Sequence, residues 1–126
     1  MQVQPDSQSG LIVQQCDANQ VVINQVTYCH PVALNQETIL ENPLTLALDS
    51  ITFEQVQHWI TPRDQLILIG SGQKPQRLRE EQHQSFYQHG LGIEIMDTPS
   101  ACRTFNLLSA DRRPCLTLLY INLESQ

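Results

Sequence analysis

The segment Leu66-Ile67-Leu68-Ile69-Gly70-Ser71-Gly72 is the strongest indication of the fold of this chain of 126 residues. Its four leading residues form an unbroken apolar run, which is typical of a central parallel strand covered on both faces. The Gly-Ser-Gly end is typical of a loop. We therefore expect a buried strand over 66–69, followed by a loop that contains Lys74 and Pro75.

The residues after this strand alternate between helix and strand patterns. A polar helix is predicted from about Gln76 to His89, closed by Gly90 in a left-handed cap, and a strand from Gly92 to Met96 follows. Thr98 and Pro99 predict the start of a second helix, and the final apolar strand runs from Cys115 to Leu123. This β-α-β-α-β order favours a right-handed parallel core.

The residues before this strand indicate antiparallel pairing. Leu11 to Val13 and Val21 to Ile23 are short β-branched runs on either side of Asp17-Ala18-Asn19, so they predict a hairpin. Two further strands are predicted, over Val26 to Leu34 and over Leu44 to Leu48, where leucines alternate with smaller residues.

A short amphipathic helix is predicted after Thr52 and ends before Pro62. Together these elements predict a single three-layer α/β domain over residues 11–126, built on a mixed, largely parallel sheet, with residues 1–10 as a flexible polar tail.

Composition narrows the function classes. The net charge of −6 argues against nucleic-acid binding, and no apolar run approaches membrane-spanning length. The first residues lack a secretory signal, so we expect a cytoplasmic protein with four free thiols. The cysteine spacing fits no zinc site, so no metal is expected. A dinucleotide fingerprint fails because its third glycine would fall on Pro75, and no cofactor is expected.

Two loops at the carboxyl ends of predicted parallel strands should face one crevice, namely Gly70 to Lys74 and Met96 to Thr98. Free amides at the helix start, permissive glycines, Lys74 and Arg103 favour a small anion there. The alternative is a tight turn with an ordinary helix cap. Asp97, beside the loop, is the best single acid candidate.

Cys102 is predicted to lie in the first turn of the helix that starts at Thr98. The helix dipole and Arg103 would lower the pKa of its thiol and make it reactive. The alternative is a small residue packed against the strands, which is the usual place of an unpaired cysteine. No histidine lies near Cys102 in the sequence to serve as its base.

Three segments carry a resemblance to a known family. The Gly-Ser-Gly loop, the Met96-Asp97-Thr98 turn, and the helix Ala101-Cys102-Arg103-Thr104-Phe105-Asn106 resemble the uncharacterised Mth-type domain family, which includes the mitochondrial complex I assembly factor three and the adipogenesis-associated Mth-type domain protein. The resemblance implies a small α/β fold around a mixed sheet, with no established catalytic activity.

The resemblance places the family signature on eight positions, and these are candidates for lining a pocket: Gly70, Gly72, Met96, Thr98, Ala101, Cys102, Thr104 and Asn106. The chain departs from the commonest pattern at Ser71, Phe105 and Pro114. Phe105 lacks the phenolic hydroxyl that is usual there, which weakens any mechanism that needs one.

Two function classes remain open. The first is a non-catalytic protein-binding or assembly-factor-like module, which holds a protein partner by a sheet edge or by the pair Arg112-Arg113. The second is a small-molecule or anion-binding enzyme that uses a crevice formed by Gly70, Met96 and Cys102. The first is favoured because the sequence pairs no base with a nucleophile and assembles no metal ligands.

Overall fold

A computed structural model describes residues 10–122. Nearly all of the predicted tail, 1–10, and the predicted strand end at Leu123 lie outside these residues. Within them are eight strands and three α-helices: β1 (Val13–Cys16), β2 (Val21–Ile23), β3 (Val26–Tyr28), β4 (Val32–Leu34), β5 (Ile39–Glu41), α1 (Phe53–Val56), β6 (Leu66–Gly70), α2 (Glu80–Tyr87), β7 (Gly92–Met96), α3 (Thr98–Ala110) and β8 (Leu116–Leu119).

The strands form two sheets. β1, β2 and β3 make an antiparallel sheet of three strands, and the other five make a mixed sheet in the order β5-β4-β8-β6-β7. β6 pairs in parallel with β7 and β8, whereas β4 pairs antiparallel with β5 and β8. The mixed sheet and the N-terminal antiparallel strands were predicted correctly. The sheet is less parallel than predicted, because two of its four ladders are antiparallel.

The five-stranded sheet is covered on both faces. Leu68 of β6 packs in one cluster with Phe105 of α3 and with the apolar face of the three-stranded sheet. Ile67 and Ile69 point the other way and pack in a second cluster with Phe86 of α2. The unbroken apolar run of β6 is therefore explained, since both of its faces are buried.

The predicted strand over Leu44 to Leu48 is wrong. This segment follows a cis peptide bond at Asn42-Pro43 and leads into a 3-10 turn. The amide of Leu44 donates to the Pro31 carbonyl, and the carbonyl of Leu46 accepts the Tyr120 hydroxyl. No ladder forms beside β4, because β5 and β8 already occupy both of its edges.

The predicted strand over Val26 to Leu34 is two strands in different sheets. β3 ends at Tyr28 and β4 begins at Val32, with His30 and Pro31 between them. Pro31 lacks the N–H that a continuous ladder needs, and the chain leaves one sheet for the other at this point.

The helices keep their predicted order, but α1 and α2 are shorter than predicted. α2 begins at Glu80 rather than Gln76, because Gln76 donates from its amide and its side chain to Ser71. The buried Gln82 fixes the start of α2, since its side-chain oxygen accepts the Arg79 amide and its nitrogen donates to the carbonyls of Leu48 and Ile51. None of the helices in residues 10–122 is both long enough and apolar enough to cross a membrane.

Candidate functional site

The two predicted loops do meet at the carboxyl ends of β6 and β7, and we call their contact the carboxyl-end junction. Its centre is the hydroxyl of Thr98, which is fully buried. Thr98 Oγ1 donates to the Tyr120 carbonyl at 2.6 Å and accepts the Gly72 amide at 2.8 Å. The Thr98 amide donates in turn to the Gly72 carbonyl at 2.8 Å. The first turn of α3 is thus bonded to the loop after β6 and to the end of β8.

Ser71 is a second centre of the carboxyl-end junction and is also fully buried. Its amide donates to the Met96 carbonyl at 2.8 Å. Its hydroxyl lies 2.9 Å from the Lys74 carbonyl and 3.1 Å from the Met96 carbonyl, and it accepts the Gln76 amide. The Gly70–Lys74 loop is therefore folded back on itself by its own serine.

Gly70 allows α3 to approach β6 closely. A Cβ atom at this position would lie 2.8 Å from Thr98 Oγ1, 2.9 Å from Thr98 Cα and 3.1 Å from Ala101 Cβ. These distances are shorter than normal van der Waals contacts, so no larger residue fits without movement of the helix.

Asp97 caps α3. Its carboxylate accepts the Ser100 amide at 2.9 Å and the Ser100 hydroxyl at 3.0 Å. These two hydrogen bonds, with the nearby Arg103 guanidinium, lower the pKa of Asp97. The helix end at which an anion was predicted therefore carries an ionised carboxylate, and the amides of Ser71, Gly72, Thr98 and Ser100 already donate to protein oxygens.

The remaining predicted residues, Cys102 to Asn106, spread along α3 rather than converging on one point. Arg103 is exposed and donates to the Ser100 hydroxyl. Thr104 donates to the sulfur of Met96 at 3.4 Å. Asn106 lies farther along the helix, where its side chain accepts the Val13 amide and donates to the Val13 carbonyl. Asn106 therefore joins α3 to β1.

Cys102 is buried, with 3% of its surface exposed, in the cluster beneath the three-stranded sheet. Its neighbour Cys16 and its burial both raise the pKa of its thiol, and Arg103 lowers it less. A raised pKa keeps Cys102 as a neutral thiol at pH 7, and a neutral thiol is a much weaker nucleophile than a thiolate.

A second site lies at the opposite end of the sheet, and we call it the arginine cleft. Two adjoining cavities, of about 320 Å³ and about 230 Å³, share Arg63, Arg112 and Pro114. Arg113 lines the smaller cavity and Glu37 the larger. These residues come from the β4–β5, α1–β6 and α3–β8 connections, at the amino ends of the parallel strands β6 and β8.

The backbone at the end of α3 sets the position of two of the arginines. The Arg113 amide donates to the Leu108 carbonyl at 2.8 Å and the Arg112 amide to the Ser109 carbonyl at 3.0 Å. These are the bonds of a Schellman motif, whose left-handed position is usually glycine. Here Arg112 occupies it, at φ +58°.

The walls of the arginine cleft are held by side-chain hydrogen bonds. Gln36 accepts the Cys115 amide at 2.9 Å and joins the β4–β5 connection to the start of β8. Asp64 is nearly buried and accepts the Thr61 amide at 2.8 Å. The cleft therefore has a fixed frame with exposed cationic side chains on it.

The pair Arg112-Arg113 was predicted as a partner-binding surface, whereas Arg63 and Gln36 were not predicted. These residues are remote in the chain and carry no motif, and only the antiparallel placement of β4 beside β8 brings Gln36 to Cys115. The prediction that loops meet concerned only the carboxyl ends of the strands, so no sequence signal indicated a cleft at the opposite end.

Comparisons with known proteins agree with this fold. The NADH dehydrogenase [ubiquinone] 1 alpha subcomplex assembly factor 3 of Danio rerio is 27% identical over 112 residues, covering 88% of this chain and 64% of the relative. The factor of the same name from Rattus norvegicus is 41% identical over 54 residues, or 43% of this chain and 29% of the relative. This chain thus spans under two thirds of the length of either relative.

Two solved structures share the architecture. A crystal structure of a Bordetella parapertussis protein has a TM-score of 0.79 at 27% identity and covers 93% of this chain and all of its own. A solution structure from Bordetella pertussis, described as a Mth938-like domain, has a TM-score of 0.71 at 23% identity, covering 95% of this chain and 90% of its own. A family model described as a protein of unknown function, DUF498/DUF598, matches residues 13–120. This chain belongs to the DUF498/DUF598 family, the Mth-type domain family that its glycine loop and α3 resemble.

Proposed function

We propose that this protein is a non-catalytic, assembly-factor-like binding module, and that its arginine cleft holds an acidic segment of another protein. The cleft gathers Arg63, Arg112 and Arg113 in a chain with only seven basic residues and a net charge of −6. A local cationic site selects anionic partners, while the net negative charge of the chain repels a second copy.

The observation that carries this proposal is the backbone conformation of Arg112. A left-handed φ costs an L-residue about 1 kcal/mol, and glycine would avoid that cost. The arginine at this position lines both cavities of the cleft. Residues with a strained backbone are found more often at functional sites than elsewhere. The left-handed conformation of Arg112 therefore supports a binding role for the cleft.

The shape of the cleft favours a peptide segment over a compact small molecule. The two cavities adjoin along Arg63 and Pro114, so the site is elongated, and Leu66 and Leu108 add apolar surface to the smaller one. Glu37 and Asp64 line the larger cavity. An extended segment with carboxylates opposite the arginines and an uncharged stretch opposite these two acids would match this pattern.

The relatives agree with a binding role. This chain aligns over 86–88% of its length with proteins that are named assembly factors of NADH dehydrogenase. We carry over to this chain only the general role of protein binding.

The alternative, an enzyme in a crevice of Gly70, Met96 and Cys102, has less support. The backbone amides of the carboxyl-end junction are occupied, Asp97 places a negative charge at the start of α3, and Cys102 has a raised pKa. An anion would have to displace several internal hydrogen bonds to bind there.

A titration followed by NMR tests the proposed function. The labelled protein would be titrated with a synthetic peptide of glutamate and glycine, with the glutamine version of that peptide as a control. We expect amide shifts at residues 35–37, 63–66 and 112–115, which weaken as salt is added. Arg112→Gln should weaken binding about fivefold, because an exposed charged pair contributes up to about 1 kcal/mol.

Arg77→Gln is the matched control, since it removes one exposed cation beside a different cavity, near Leu44 and Tyr120. It should leave the affinity unchanged. Equal losses in the two variants would mean that only net charge matters and would overturn the proposal. A third arm uses inorganic phosphate, and shifts at Gly72 and Ser100 with phosphate would instead favour the crevice alternative.

A further inference from the structure

Two of the four cysteines lie side by side although 86 residues separate them in the chain. Cys16 ends β1, and Cys102 lies in the second turn of α3. Cys16 packs against the buried cluster that contains Cys102, and each of the two thiols is the largest single influence on the pKa of the other. All four cysteines are free thiols in the structure.

A β-bulge brings Cys16 to this position. Residues three apart on a regular strand point to opposite faces, so Val13 and Cys16 should not share one. The pairing of β1 with β2 shifts between Val13 and Gln15, so that Val13 lies opposite Ile23 and Cys16 opposite Val21. Both residues therefore face α3 with the buried side of β2.

Asn106 fixes the position of β1 on α3. Its side chain bonds to both the amide and the carbonyl of Val13, at 3.0 Å and 2.8 Å. Cys102 is one helical turn before Asn106, and Cys16 is three residues after Val13. The elements that carry the two cysteines are thus fixed against each other by these hydrogen bonds and by the shared cluster.

We propose that Cys16 and Cys102 form a redox-active pair, in which a peroxide oxidises Cys16 and Cys102 then closes a disulfide that ties β1 to α3. The pair combines a half-buried sulfur, which a small oxidant can reach, with a buried one, which it cannot. This arrangement suits an attacking thiol and a resolving thiol.

The electrostatics agree with these two roles. The neighbouring Cys102 thiol is the largest influence that lowers the pKa of Cys16, and Arg103 lowers it further. Burial and the carboxylates of Asp17 and Asp97 oppose this effect without reversing it. The same contact raises the pKa of Cys102. Cys16 is therefore the better thiolate, and Cys102 holds the proton.

The reaction balances with hydrogen peroxide as the oxidant. The Cys16 thiolate attacks the O–O bond, which gives a sulfenic acid at Cys16 and, with one proton, a water molecule. The sulfur of Cys102 then attacks the sulfenic sulfur, an S–S bond forms, and the hydroxyl leaves as a second water with the Cys102 proton. Two electrons pass from the two sulfur atoms to the peroxide.

The other two cysteines are internal controls. Cys29 is exposed. Cys115 is buried and its thiol is already bonded to Gln36 and Thr117. Exposure alone would therefore make Cys29 the first thiol to react, whereas the proposal predicts Cys16.

Peptide mapping after oxidation tests the pair. The full chain would be treated with hydrogen peroxide, its free thiols alkylated, and the protein cleaved on the amino side of aspartate. The aspartates place the four cysteines in four separate peptides, 6–16, 17–48, 97–110 and 111–126. We expect a cross-linked peptide that joins 6–16 to 97–110 and is lighter than the sum of its parts by two hydrogen atoms.

Variants separate the two roles. Cys102→Ser should stop the cross-link and leave a sulfenic acid on Cys16 that dimedone traps, whereas Cys16→Ser should remove both products. Cys29→Ser is the matched control and should leave the cross-link unchanged. The proposal is overturned if the first product is oxidised Cys29, if disulfides form only between molecules, or if Cys102→Ala shows the same dimedone adducts as the unchanged protein.

Discussion

The two ends of the five-stranded sheet differ in how their polar groups are used. At the carboxyl-end junction, Thr98 and Ser71 use their hydroxyls to satisfy backbone groups from three segments, and Gly70 lets α3 sit directly on β6. At the arginine cleft, a different set of connections leaves cations exposed around a cavity. One end is closed by internal bonds and the other is open.

This difference separates two kinds of sequence signal. The family signature at Gly70, Gly72 and Thr98 is a set of packing and hydrogen-bonding requirements, and losing one of them should cost stability. The arginine cleft carries almost no motif, and losing one of its side chains should cost binding alone. Substitutions at each end of the sheet test this difference.

Gly70→Ala should have the largest effect. The added methyl would lie 2.8 Å from Thr98 Oγ1 and 2.9 Å from Thr98 Cα, so α3 must move away from β6. We expect a loss of about 3 kcal/mol in the free energy of unfolding, the upper part of the range for an overpacked core. Urea denaturation followed by the fluorescence of the single tryptophan, Trp59, measures it.

Gly92→Ala is the matched control, because the nearest atoms to its added methyl are 3.6 Å and 3.7 Å away. It should change the free energy of unfolding by less than about 1 kcal/mol. Equal losses in the two variants would show that any strand glycine is sensitive and that the close approach of α3 is not the cause.

Thr98→Val should have the second largest effect. Valine keeps the shape of threonine but removes the hydroxyl, which leaves the Gly72 amide and the Tyr120 carbonyl without that partner in a buried place. We expect a loss of about 2 kcal/mol in the free energy of unfolding. Thr104→Val is the control, since its half-buried hydroxyl donates only to the Met96 sulfur, and it should cost less than about 0.5 kcal/mol.

The amount of structure that the sequence predicts differs between the two ends of the sheet. The strand at 66–69, the strand Gly92 to Met96 and the helix start at Thr98 were predicted correctly, because each depends on local pattern and on the chemistry of a few neighbouring residues. The meeting of the loops after β6 and β7 follows from parallel pairing alone. What the loops do when they meet depends on hydroxyl geometry, which no pattern records.

The errors have a common physical cause. The alternating leucines of 44–48 have the period of a strand, but β4 has no free edge for them. The packing of β1, which carries Cys16, on α3, which carries Asn106, was not predicted. These contacts join segments that are remote in the chain and depend on a bulge in β1. Non-local pairing decides both cases, and a single sequence does not contain it.

Arg112→Gly tests the open end. It removes a cation from the arginine cleft and relieves the left-handed strain at φ +58°. We expect the free energy of unfolding to rise by about 0.5 kcal/mol, while binding of the glutamate peptide weakens about fivefold. Denaturation and peptide titration on the same variant separate the two effects.

Arg113→Gly is the control for strain. It also removes a cation from the cleft. Arg113 does not have a positive φ, so glycine relieves no strain there and only increases the conformational freedom of the unfolded chain. The free energy of unfolding should therefore fall. If Arg112→Gly destabilises the protein as much as Arg113→Gly does, the conformation of Arg112 is not strained and the argument for its retention fails.

Asp97→Asn should have the smallest effect and tests whether the charge of Asp97 keeps anions away from the closed end. The Ser100 amide and hydroxyl and the Arg103 guanidinium lower the pKa of Asp97 in the folded protein. The ionised carboxylate therefore stabilises the fold above its unfolded pKa, near 3.8, and this contribution disappears as the pH falls through the lower folded pKa. Asparagine still caps the helix, so at pH 7 we expect a loss of less than about 1 kcal/mol, and a shallower fall of stability in acid.

Denaturation at a series of pH values from 7 to 2 measures this difference, with Glu94→Gln, an exposed carboxylate on β7, as the control. Phosphate binding at pH 7 gives the second readout. If the closed end excludes anions because its amides are occupied, Asp97→Asn will not bind phosphate, since Gly72 and Thr98 still donate internally. If it does bind phosphate, the charge of Asp97 was the barrier, and the carboxyl-end junction is a latent anion site that a change of one residue opens.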